Sequence, residues 1–213
     1  MYIPQHFDEQ RPEALHELIR SHPLGALVVN GPQGLDANHI PFHLDPDAGG
    51  QGALLAHIAR ANPLWQEVKE GGEVLVIFRS EDAYVSPNWY PSKHETHRQV
   101  PTWNYRVVHV HGRLHVRDDE RFVRGVVARL TRTHESQTGD AKPWRMTDSA
   151  EDYIAQMLAA VVGIEISIDR MVGKSKLSQN REERDRTGAA QELAKRGRHE
   201  SATAMLAVNV KRP

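Results

Sequence analysis

A chain of 213 residues, 39% apolar and 26% charged with a formal charge of −1, has the composition of a globular protein large enough for one sizeable core. It contains no cysteine, which excludes disulfides, thiolate nucleophiles, iron–sulfur clusters and Cys-ligated zinc. No apolar run approaches the length of a membrane span, and MYIPQHFDEQ lacks the basic and apolar segments of a secretory signal, so the expected location is the cytoplasm, with no membrane partner.

In chain order, residues 11–22 place Leu15, Leu18 and Ile19 at i, i+3 and i+4, which predicts a short helix. An apolar run follows and closes on the turn signal Asn30-Gly31-Pro32. LDANHIPFHLD alternates, and Pro41 within it predicts an edge position or a bulge. GALLAHIA is a third strand. NPLWQEVKEG reads as a helix capped by Asn62, and EVLVIFRSEDAYV as one long buried strand. Residues 86–99 read as a loop with a helical turn. Residues 100–117 form the longest strand or hairpin, after which Asp118 is expected to cap a helix. A second helix, EDYIAQMLAAVV, precedes an alternating strand in which Val162, Ile164, Ile166 and Ile168 share a face. KSKLSQN is a polar loop, and two helices finish the chain. The expected fold is mainly β with flanking helices (α+β), antiparallel and closed as a barrel or sandwich, because no βαβ repeat is present. Residues 1–180 are expected to form the main domain, with 181–213 a helical extension packed on it.

No motif assigns a catalytic residue. Gly173-Lys174-Ser175 has the ending of a P-loop, but Ile168 stands where the upstream glycine belongs. Among thirteen histidines, the pairs His94/His97 and His109/His111 have ligand-like spacing without completing partners, so no metal is expected. Residues 170–213 carry eleven Lys/Arg against five Asp/Glu, a net of +6 that leaves −7 for the remainder. Such asymmetry can mark a polyanion-binding end, but a solvated helix face with mixed charges is the more ordinary reading.

VPTWNYRVVHVHG, residues 100–112, starts polar and aromatic and ends apolar. Alternation places Thr102, Asn104 and Arg106 on the face continued by Val108, Val110 and Leu114, with Trp103 and Tyr105 on the other. The core-facing row thus changes from hydrogen-bonding to apolar. That pattern suits a pocket mouth, and also a strand end emerging into solvent. In AHIARANPLW, Arg60 lies two residues before the capping Asn62, a natural anion site or simply a cap.

MYIPQHF, NHIPFHLD, AHIARANPLW, VSPNWYPSK, VPTWNYRVVHVHG and VGIEI followed by GKSKLSQN occur in this order, and the chain resembles the PaiB-type FMN-binding negative transcriptional regulators. The resemblance implies an FMN-binding split β-barrel assembled as a homodimer, with a regulatory role and with DNA or a regulatory partner protein as further candidates. It implies ring contacts at Asn38, His39 and Ile40 and a phosphate site at Arg60 and Asn62. Ser86, Trp89, Lys93, Thr102, Trp103 and Asn104 would close the site, and Lys174 and Lys176 would add positive charge. The alternative function within the same fold is an FMN-dependent oxidoreductase or a haem-handling enzyme.

Overall fold

The computed structural model describes residues 1–208. In chain order the elements are β1 (Asp8–Glu9), α1 (Pro12–Ser21), β2 (Leu24–Gly31), β3 (Gly34–Pro41), β4 (His43–Asp45), β5 (Ala53–Ala59), the single turn α2 (Leu64–Glu67) and β6 (Gly72–Arg79). There follow β7 (Ala83–Val85), α3 (Pro91–Thr96), β8 (Thr102–Arg117), α4 (Glu120–Glu135), α5 (Glu151–Ala159), β9 (Val161–Lys176), α6 (Glu183–Lys195) and α7 (His199–Ala207). The last predicted helix, 199–212, ends within residues that lie outside the described ones.

The chain divides into two compact units. One comprises Met1–Leu18, Arg79–Val108 and the described residues from Val172 on; the other comprises Ile19–Phe78 and His109–Met171. The helical extension falls in the first.

The second unit carries the sheet path β3-β2-β6-β8-β9-β5-β4. The pairs β2–β3, β2–β6, β4–β5 and β5–β9 are antiparallel. Alternation makes the core: Leu27 and Val29, Leu54, Ala56 and Ile58, Val74, Val76 and Phe78, and Val162, Ile164, Ile166 and Ile168 are all buried. The other face of β5, at Ala53 and Leu55, packs on Val126 and Leu130 of α4, with Phe122 alongside. Pro41 ends β3, which has β2 as its only neighbour on the sheet path, in keeping with a residue that donates no ladder hydrogen bond.

In the first unit β1 pairs with the end of β9 and β7 with the start of β8. A core of Val85, Tyr90, Leu177, Ala189, Leu193 and Met205 lies beneath α6 and α7.

Three local expectations are corrected. The helix after β8 is capped by Asp119, whose Oδ1 accepts from Phe122 N at 2.8 Å, and not by Asp118. The long strand expected over 73–85 breaks between Arg79 and Ala83, where the Ser80 hydroxyl donates to Glu81 O and accepts from Arg106 N. β9 runs on through Lys176, into residues read from sequence as loop.

Candidate functional site

In the second unit, the expected ring contacts lie at the end of the edge strand β3. Asn38 is half-buried, His39 exposed and Ile40 buried, so Ile40 can offer a ligand only its backbone. Asn38 and Asn62, twenty-four residues apart, meet: Asn62 Nδ2 donates to Asn38 Oδ1 at 2.8 Å, while Asn62 Oδ1 accepts from Leu64 N at 3.0 Å. The helix expected over 62–71 is only the single turn α2, whose N-cap is Pro63; Asn62, one residue earlier, bonds the first amide of that turn but is not its N-cap. The same amide fixes that of Asn38, whose Nδ2 donates to Asp36.

Arg60 is placed otherwise than expected. Its Nη1 and Nη2 clamp the Asp118 carboxylate at 2.9 and 2.6 Å, and its Nε and Nη2 also donate to the carbonyls of Ala159 and Val161. Four of the five N–H groups of a guanidinium are thus engaged by the protein. The depression beside Arg60 is walled by Asp118, Asp119 and Glu120, which repel a phosphate. The Arg60 hydrogen bonds hold the Asp118 carboxyl below its ordinary range. Arg60→Ala is accordingly expected to lower the melting temperature and to leave FMN affinity within about tenfold of wild type, since a typical phosphate contact is worth about that factor. A larger loss in a fluorescence titration would return Arg60 to the flavin site.

The second unit also holds a residue that motif reading passed over. His57, on β5, has a buried Nδ1 with no hydrogen-bond partner, and burial pushes its pKa below the ordinary 6.5. Burial lowers His43 likewise, followed by the charge of Arg129. The unfolded chain therefore binds protons at these positions before the folded one does. Their contribution to stability is complete above about pH 6.5 and is lost as pH falls from there towards the folded pKa values. The urea midpoint is expected to drop between pH 7.5 and 5.5, and His57→Leu to reduce that drop. An unchanged slope in the variant would remove His57 from this account.

In the first unit the expected site residues are mostly engaged in structure. Ser86 Oγ accepts from Asn88 N and starts the 3-10 turn Pro87–Trp89. Trp89 lies under the Arg196 guanidinium, 4.6 Å from its ring centre. Lys93 is half-buried in α3. Lys174 Nζ donates to Tyr2 O at 3.2 Å and lies 5.6 Å from the centre of the Tyr105 ring, so its charge already has partners. Trp103 is 53% exposed and packs edge-on against its cross-strand neighbour Tyr84 at 5.8 Å.

The sharpest correction concerns Asn104. It is 1% exposed, and its amide exchanges two hydrogen bonds with the hydroxyl of Ser178, at 3.1 and 3.2 Å. Two residues earlier on β8, Thr102 Oγ1 accepts from Lys176 Nζ at 2.6 Å. The two unusual segments VPTWNY and KLSQN thus bind each other. Strand β8 begins polar because its side chains hold the 176–178 segment, in which Ser178 adopts φ 65°.

These arrangements can be tested for fit to a flavin. The open edge of β3 presents backbone N–H and C=O groups, the alternating donors and acceptors that the polar edge of an isoalloxazine ring requires. The Asn38–Asn62 pair adds fixed amides at the same strand end. The residues fit the ring in the second unit; the acidic surroundings of Arg60 do not fit the phosphate. Among the described residues no group of three or more His, Asp or Glu is placed to hold a metal ion, and no helix is long and apolar enough to cross a membrane.

A protein of Emericella nidulans is 32% identical over an alignment that covers 88% of each chain. The Bacillus subtilis protease synthase and sporulation protein PAI 2 is 26% identical, covering 91% of this chain and 89% of its own. Among solved structures, the FAD and haem binding protein from Mycobacterium smegmatis superposes with a TM-score of 0.57 at 19% identity, over 79% of this chain and 73% of that one. The fold is thus that of the flavin-binding split barrels. Residues 1–170 match the family model described as "Putative FMN-binding domain"; the chain belongs to that family, FMN_bind_2, and FMN is its cofactor.

Proposed function

We propose that this chain is an FMN-binding homodimer that acts as a negative regulator of transcription, through a ligand or a partner protein and not by reading DNA itself. The observation that carries the flavin half is the edge strand β3, with Asn38 oriented by Asn62 at its end. Its backbone would bind and orient the ring, and the bond from Leu64 N would hold Asn62 in place. Bound FMN supplies a reversible redox centre. The regulatory half is supported by the likeness to the sporulation protein of Bacillus subtilis.

The basic end argues for an indirect mode. Arg184 pairs with Glu95 and Glu182, Arg196 with Glu192, Arg198 with Glu81, and Arg181 donates to Gln99. Arg184, Arg196 and Arg198 are thus neutralised within the chain, which lowers the number of cations left for phosphates. Lys211 and Arg212 lie outside the described residues. The exposed Tyr84–Trp103 pair supports a homodimer, since a large aromatic pair on a strand face favours cover.

The purified protein, loaded with FMN and desalted, is expected to keep flavin absorption bands and to sediment as a dimer at low micromolar concentration. Loss of all flavin on desalting would remove the flavin half, and a stable monomer the dimer. Rapid NAD(P)H oxidation by the loaded protein would replace the regulator with an oxidoreductase.

A further inference from the structure

Within the second unit, the outward faces of β8 and β9 meet in cross-strand pairs. Arg117 Nε lies 3.0 Å from Glu165 Oε2, and Arg113 Nε lies 3.6 Å from Asp169 Oδ2. Between these two ion pairs stands a pair of another kind: His115 Nε2 and the Ser167 hydroxyl oxygen, 3.4 Å apart. The flanking residues Leu114, Ile166 and Ile168 are buried, so alternation fixes His115 and Ser167 on the outer face. There the His115 side chain is 27% exposed and Ser167 is half-buried.

The other side of the imidazole is held in place. His115 Nδ1 lies 2.7 Å from Glu70 Oε1, and Glu70 Oε2 accepts from Val116 N at 3.1 Å. Both carboxylate oxygens are thus tied to β8. The Val116 bond first, and then that of His115, keep the Glu70 carboxyl below its ordinary range. Near neutral pH Glu70 is therefore a carboxylate and can only accept. In the neutral ring Nδ1 must then carry the proton, and Nε2 turns its lone pair towards the Ser167 hydroxyl. Glu70, His115 and Ser167 come from three distant parts of the chain and line up as carboxylate, imidazole and hydroxyl.

A serine becomes a nucleophile when an imidazole stands ready to take its proton and a third group orients that imidazole. The 3.4 Å separation is long for such a bond, and separations of this kind tighten once substrate is bound. The nearest backbone donors are spent: Val116 N on Glu70, and Gly71 N on Leu114 O at 2.8 Å. They cannot receive the oxyanion of a carbonyl under attack, so the arrangement suits only acyl donors whose leaving group is already good. We propose that Ser167, with His115 as its base and Glu70 as the positioning residue, accepts acyl groups from activated esters and thioesters. Ser167 Oγ bonds to the acyl carbon as its proton passes to His115 Nε2. The bond to the alcohol or thiol breaks, and that group leaves with the proton from Nε2. Water then gives a proton to the same nitrogen and attacks the acyl carbon, which releases the carboxylic acid and returns the proton to Ser167 Oγ. No electron is transferred, so the reaction does not rest on the flavin reading.

The test treats the purified protein, with and without FMN, with p-nitrophenyl acetate. It follows p-nitrophenolate release and locates the acetyl group by peptide mass spectrometry. Wild type is expected to carry acetyl on Ser167 and to release p-nitrophenolate faster than Ser167→Ala, whose remaining release comes from surface amines. His115→Gln should acetylate Ser167 about a hundredfold more slowly, the lower end for a positioned general base. Acetyl on lysines alone in wild type, or a Ser167 acetylation rate unchanged in His115→Gln, overturns the proposal. Should Ser167→Ala fail to fold, acetyl mapping of wild type against His115→Gln decides alone. Glu70→Gln reads the positioning role. In 15N spectra of the imidazoles, His115 is expected to hold its proton on Nδ1 in wild type and to share it between both nitrogens in Glu70→Gln, with Ser167 acetylation slowed at least about tenfold. An unchanged tautomer and rate overturns the part assigned to Glu70.

Discussion

Gly112→Ala is expected to destabilise the protein by about 3 kcal/mol, at the upper end of the range for an added methyl group in a packed interior. Gly112 is buried in β8. A Cβ there would collide with the backbone carbonyl oxygen of Ser167 on β9 and would stand 2.8 Å from Ile166 Cγ2. The side chain of Ile166 can turn aside. The carbonyl cannot, because it belongs to a strand held on its other side by β5, where Ser167 faces Ala53 and Ile166 faces Leu54. Relief therefore requires shifting β9, and with it the buried row Ile164, Ile166 and Ile168. For a chain of this length the cost corresponds to a fall in melting temperature of roughly 6–12 °C. Gly125→Ala on α4 is the control: nothing lies within 4 Å of the added methyl, and alanine favours a helix over glycine by up to about 1 kcal/mol. Opposite signs for the two variants in thermal melts are the expected result. A Gly112→Ala protein that melts with wild type would show that β8 and β9 do not approach as described.

Local periodicity made most of the second unit legible. Alternation marks β5 and β9 plainly, and Pro41 signals the edge strand; outside that unit's bounds, the i, i+3, i+4 spacing of Leu15, Leu18 and Ile19 marks α1. These are short-range patterns imposed by burial on one face. Partnerships across the chain leave no such trace. Arg60 next to a helical turn has the local pattern of an anion site, and only the fold brings Asp118, fifty-eight residues on, into its fork. The break after β6 depends on Ser80 meeting the backbone of Arg106, which no window around Ser80 contains. In the candidate site, the family motifs do not separate side chains that could meet a ligand from those committed to the scaffold. Asn62 orients Asn38 beside an open strand edge, whereas Asn104, in the most unusual motif of all, is a structural tie.

That tie leads to the second large effect expected. Asn104→Ala should cost about 2–3 kcal/mol, because it strands a buried partner as well as removing its own contacts. The Ser178 hydroxyl is buried and has both of its described hydrogen bonds on the Asn104 amide. Ser178 also holds φ 65°, a left-handed conformation that is unfavourable for a residue with a Cβ by about 1 kcal/mol or more. Its neighbours fix the segment from the other side: Gln179 Oε1 accepts from Leu177 N, and Gln179 Nε2 donates to Ser175 O. The conformation at Ser178 is thus imposed by hydrogen bonds, and Asn104 supplies the interior pair. Ser178→Gly should behave differently. It loses the same hydrogen bonds but relieves the backbone, which offsets about 1 kcal/mol of the loss and leaves a cost of about 1–2 kcal/mol. It does leave the Asn104 amide unpaired, so adding Asn104→Ala to Ser178→Gly should cost less than Asn104→Ala costs in wild type. A double-mutant cycle by urea denaturation reads this as a coupling of about 1 kcal/mol or more. Strict additivity would show that the amide and the hydroxyl do not act on each other, and that the two motifs are held together by something other than this pair.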